Sequence, residues 1–61
     1  MEKKLEKYID YISDCTGIPM AMVKIELADD VNADYEKLTA KDIEAMVKLC
    51  EQELPELKEM F

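Results

Sequence analysis

Sixty-one residues bound the chain to one small helical domain, 1–61, with little interior to spare. It has no histidine or tryptophan, and its eight basic residues are all lysine, so the commonest general base and metal ligand and the guanidinium fork used on phosphate and guanine are missing. Fifteen acids against eight lysines leave a net charge of −7, a balance that repels nucleic acid and anionic membrane and attracts basic partners.

The first predicted element is a helix over residues 2–15. Leu5, Tyr8, Ile9, Ile12 and Cys15 fall on one stripe at helical spacing, Lys3, Lys4, Lys7, Asp10 and Asp14 lie largely off it, and Tyr11 sits at its edge, available for a rim contact. Gly17 suits the left-handed position that ends a helix, and Pro19 suits the first turn of the next. Residues 18–28 are the most apolar run. Met20, Val23, Leu27 and Val31 keep helical spacing, Met22 and Ile25 lie on other sides, and Lys24 falls inside the apolar arc, so the second helix is apolar almost all round and calls for cover on several sides. A strand is the alternative for residues 22–27. Val23-Lys24-Ile25-Glu26-Leu27 alternates strictly, but with no second strand candidate in the chain it would have to pair across a dimer. Asp29 and Asp30 are expected in a turn rather than at a helix C-terminus.

The corner between these elements has Ile12 and Ser13 before the turn, then Gly17 and Ile18, then Val23 and Leu27. Over residues 10–28 it resembles a helix-turn-helix. The resemblance implies a tri-helical shape and a DNA-binding second helix presenting Pro19, Met20, Ala21 and Lys24. That surface lacks the Arg, Asn, Gln and Ser that read bases.

Residues 29–38 connect to the third helix. Asp30, Asn32 and Asp34 at alternate positions, with Val31 and the later Leu38-Thr39-Ala40-Lys41-Asp42-Ile43, resemble the start of an EF-hand or dockerin calcium loop. The resemblance implies a calcium-binding helix–loop–helix over 30–42 with Asp30, Asn32, Asp34 and Asp42 as metal ligands. The pattern departs from the family at Tyr35, where the sharp turn needs glycine, at Lys37, where a hydrophobe belongs, and at Lys41 in the twelfth position. The other reading is an Asx-rich turn in which Asp34 caps a short helical turn over 35–38.

The third helix is the best signalled. Thr39 and Asp42 form a capping box, with Leu38 and Ile43 as a hydrophobic staple. Ile43, Met46, Val47, Cys50, Leu54, Leu57 and Phe61 then hold one helical phase to the chain end. Pro55 predicts a break or kink at 53–55, followed by a last turn or two packed on a continuous groove of this chain or of a second copy. The fold expectation is therefore all-α: a small three-helix bundle with a short helical turn after Pro55.

Nothing in the chain assembles a catalytic set. The acids fall mostly on exposed faces, Glu26 sits in the apolar run beside Lys24 as an ion pair or a solvent-reaching contact, and no zinc spacing occurs. Cys15 and Cys50 both fall on apolar faces, which predicts two reduced core thiols, with a disulfide as the alternative. Of five methionines, Met20 and Met46 are expected in the core and Met22 at an intermolecular contact, while Met60 sits in the tail. Residues 1–28 carry net −1 and residues 29–61 net −6. The composite expectation is a non-catalytic acidic protein-interaction module without a cofactor, with an inhibitor that mimics nucleic acid as a sub-case. Its partner would be a protein with a basic surface rather than nucleic acid or membrane, met through Met22, Ile25, Tyr11, Asp29, Asp30, Asp34 and Glu36. The alternatives are the calcium and DNA readings above. A homodimer is also expected, because the central run exceeds what so short a chain can cover. With no leading signal-like segment and no bilayer-length apolar run, the expected compartment is cytoplasmic.

Overall fold

The computed structural model describes residues 3–59. Among these, helix α1 spans Lys3–Thr16, α2 spans Met20–Asp30, α3 spans Ala40–Glu53 and α4 spans Pro55–Lys58, with a 3-10 turn over Tyr35–Lys37 and no strand. The protein is thus a small all-α bundle in which α1 packs on α2 and α3, α2 on α3, and α4 on α3. Residues 22–27 are helical, which removes the strand alternative. The expectations placed on Met60 and Phe61 lie outside the described residues.

Each junction is built from local chemistry. Gly17 has φ +76°, and its N–H donates to the Ser13 carbonyl at 2.8 Å, the bond that closes a left-handed helix end. Ser13 Oγ then donates to the Ile18 carbonyl at 2.6 Å, and the Ile18 N–H donates to Thr16 Oγ1 at 3.2 Å, so the corner is pinned by its own side chains. A β-carbon at Gly17 would meet open space, so the requirement for glycine there is one of backbone conformation and not of crowding.

The end of α2 corrects one expectation. Asp29 and Asp30 belong to the helix and not to the turn after it. Asn32 takes φ +56°, the Ala33 N–H donates to the Ala28 carbonyl at 2.8 Å and the Asn32 N–H to the Asp29 carbonyl at 3.1 Å, together a Schellman cap with asparagine in the glycine place. Two acids against the negative end of a helix cost about 0.3–1 kcal/mol each when exposed. Burying Leu27 alone contributes about 1.5–3 kcal/mol, so the helix runs on until its apolar face is covered.

The start of α3 is the expected capping box. The Asp42 N–H donates to Thr39 Oγ1 at 3.2 Å and the Thr39 N–H donates to Asp42 Oδ2 at 3.1 Å, while Leu38 and Ile43 pack part-buried against the core. Pro55 breaks the helix as expected. Leu54 leaves the α region at φ −129°, ψ 81°, and Pro55 opens α4 at its first position.

The core draws Leu5, Tyr8 and Ile9 from α1, Val23, Leu27 and Ala28 from α2, Met46, Val47 and Cys50 from α3, and Leu57 from α4. Total accessible area is 4286 Å², close to the roughly 4,100 Å² expected of a monomer of this mass. Within the apolar run Val23, Leu27 and Ala28 are buried, Ile18 and Ile25 are half-buried, and Met20, Ala21 and Met22 are exposed. Met20, expected in the core, is 44% exposed because it starts α2 and lies over the outer side of α1 beside Glu6. Cys15, also expected in the core, is exposed. It sits in the last turn of α1, about 80° round from Leu5 at the edge of the apolar arc.

Candidate functional site

One polar network ties helices together. Glu51 Oε2 accepts from the Tyr8 hydroxyl at 2.8 Å and pairs with Lys4 Nζ at 2.9 Å, joining α3 to two successive turns of α1. The Lys4 contact, followed by the Tyr8 hydrogen bond, holds the Glu51 carboxyl below its ordinary range. Burial first, and then the Glu51 bond, pushes the Tyr8 phenol up. A general base or acid needs a pKa brought toward neutrality. Here the carboxylate becomes a weaker base and the phenol a weaker acid, and the network fastens α1 to α3. Sequence reading overlooked Glu51, although Lys4 and Tyr8 one turn apart, the latter in the core stripe, hinted at a cross-helix acid.

The two thiols are free and differ sharply. Cys50 is buried, and desolvation pushes it up to about 11, so it is a poor nucleophile. Cys15 is exposed in the last turn of α1, where it raises the pKa of the Tyr11 phenol. Treatment of the native protein with a thiol-specific reagent near neutral pH is expected to modify Cys15 alone, with Cys50 following only in denaturant. Equal labelling rates of the two in the folded state would contradict the burial of Cys50.

The residues expected at a partner contact occupy several places. Met22 is 50% exposed, while Ile25 and Tyr11 are half-buried. Asp29 and Asp30 are exposed at the end of α2, and Asp34 and Glu36 are exposed around the 3-10 turn. Lys24 does not pair with Glu26. Its ammonium lies 5.2 Å from the centre of the Tyr35 ring, and Glu26 is exposed. The outward side of α2 thus offers Met22, Ile25, Glu26 and Asp29, an apolar and acidic surface.

Three of the four calcium candidates have backbone roles, and the fourth, Asp30, is exposed at the end of α2. Asp34 Oδ1 accepts from the Glu36 N–H at 3.0 Å, Asp42 accepts from the Thr39 N–H, and Asn32 is the left-handed cap of α2. No group of three or more metal-ligating side chains comes together among the described residues. No described helix is long and apolar enough to cross a membrane.

The best-formed concavity is a groove of about 230 Å³ where α1, α2 and α3 meet. Ile12, Val23, Leu27, Leu49 and Leu54 supply its apolar surface, Cys50 lies at its base, and Glu26, Asp30 and Glu53 stand around it. No lining residue is basic. No protein-family model, curated protein or solved structure matches the chain.

Proposed function

We propose that this chain is a non-catalytic interaction module that binds a protein with a basic surface. The observation that carries this reading is the distribution of charge: net −7, with no acidic or lysine side chain buried among the described residues, so that, Glu51 apart, most of the described carboxylates face solvent and act on whatever approaches. Lys4 pairs with Glu51 and Lys48 with Glu44 at 3.7 Å, one acid to each lysine, so the excess of seven acids remains. The outward side of α2 would repel a phosphate backbone, which weighs against the helix-turn-helix reading. A second copy would itself bring −7, which weighs against self-pairing. The sub-case of a nucleic-acid mimic fits the same charge.

Affinity capture from the cell that makes the protein, followed by binding of the purified partner across a salt series, tests this. The expected result is a basic partner whose affinity falls steeply as salt rises, and competition by DNA or RNA for that partner would support the mimic. Binding that salt does not weaken would exclude a charge-led interaction.

A further inference from the structure

We propose that the α1–α2–α3 groove is a docking site for a basic amphipathic helix of another protein, seated with an apolar side chain in the groove and lysine or arginine on either side of it. The inference rests on the interaction reading above and adds its surface and the form of its ligand.

The volume comes first. About 230 Å³ is smaller than the roughly 300–1,000 Å³ of cavities that engulf small ligands, and the groove is open along one side. It has room for a leucine- or phenylalanine-sized anchor projecting from a larger body. The charges set the rest. Glu26 and Asp30 lie one turn apart on α2, about 6 Å along its axis, and Glu53 stands on α3 across the apolar surface. On an amphipathic helix apolar side chains at i, i+3 and i+4 would face the groove, and cations along the two edges of that stripe would meet the acidic walls on either side. Met22, one turn before Glu26 and 50% exposed, extends the apolar surface with a side chain that adapts to irregular partners. Because the wall residues carry only negative charge and a second copy is itself strongly acidic, the occupant is a basic protein segment and not this chain again.

Fluorescence anisotropy with two labelled peptides of identical Leu/Lys composition tests the groove, one patterned as an amphipathic helix and one scrambled. The patterned peptide is expected to bind about tenfold more tightly than the scrambled one. Neutralising the walls by Glu26→Gln, Asp30→Asn and Glu53→Gln together is expected to weaken it about tenfold. Removing the same charge elsewhere, by Glu6→Gln, Asp10→Asn and Glu44→Gln, is expected to weaken it less than about threefold. Far-UV circular dichroism confirms that both variants keep the fold. Equal binding of the two peptides, or equal loss in the two variants, overturns the groove while leaving a diffuse acidic interaction standing. Failure of both peptides to bind overturns the groove and the charge-led reading together. Sedimentation of the protein as a dimer that shields Leu49 and Leu54 assigns the groove to a second copy and overturns it too.

Discussion

Leu57→Ala is expected to lower stability by about 3 kcal/mol, and its melting temperature by more than 10 °C. Leu57 lies in the four-residue helix α4, which begins at Pro55 after the helical break at Leu54 and would form no stable helix alone. Yet its side chain is wholly buried, alongside Leu5, Tyr8 and Met46 in the same cluster. The truncation removes most of a leucine's burial and leaves a cavity that so small a bundle closes only by shifting helices. Domains of this length rarely have more than about 3–5 kcal/mol in hand, so the variant should populate the unfolded state measurably in water. Urea denaturation followed by circular dichroism gives the value. A loss under about 1 kcal/mol would mean that α4 is an appendage and that the bundle ends at Glu53. Pro55→Ala offers a contrast: it restores a backbone donor, touches no core side chain, and should change stability far less.

Features set by near neighbours were open to sequence reading. Thr39 and Asp42 bond only each other's backbone, Asp34 needs only the N–H two residues on, and Gly17 answers a local backbone conformation. The phase of Met46, Val47 and Cys50 was visible because one stripe of α3 is buried and the rest is not. The run on α2 resisted the same treatment. A helix apolar on all sides does not announce which side meets its neighbours, so Val23, Leu27 and Ala28 went inward while Met20 and Met22 stayed out.

The candidate site was less legible because it is made of distances between helices. The Glu26 and Asp30 carboxylates look like any exposed acids until α3 sets Glu53 opposite them and Leu49 and Leu54 between. The left-handed turn at Asn32 was hidden for another reason. Asparagine there suits a metal loop and a helix cap equally well by sequence, and the bonds from Ala33 and Asn32 back into α2 decide for the cap. Glu51 likewise looked like another solvated acid of α3, and only the crossing of α1 over it supplies Lys4 and Tyr8.

Stability is expected to hold steady from about pH 5 to pH 9 and to fall on both sides, more steeply in alkali. In acid the group concerned is Glu51, whose folded pKa is lowered from the ordinary 4.5 by Lys4 and Tyr8. The unfolded chain therefore takes up that proton first, and the stabilisation present above pH 4.5 is lost as pH falls through the folded value. Protonating the surface acids relieves the self-repulsion of a chain at −7, which softens this limb. In alkali nothing offsets the loss. Cys50 is pushed by burial from 9.0 to about 11, so the unfolded thiol ionises first, and stability fully present below pH 9 drains away as pH approaches 11. Two pH units on one proton correspond to at most about 3 kcal/mol, and to less where solvent screens the thiolate. Tyr8, raised by burial from 10.0, and Lys4, raised by Glu51 from 10.5, act in the same direction, and each lysine that discharges deepens the negative charge. Urea midpoints measured across pH under reducing conditions give both limbs. Cys50→Ala should lower stability throughout and flatten the slope between pH 9 and 11, while Glu51→Gln should flatten the acid limb alone. An alkaline slope untouched by Cys50→Ala would mean that the thiol ionises as readily in the folded bundle as in the open chain.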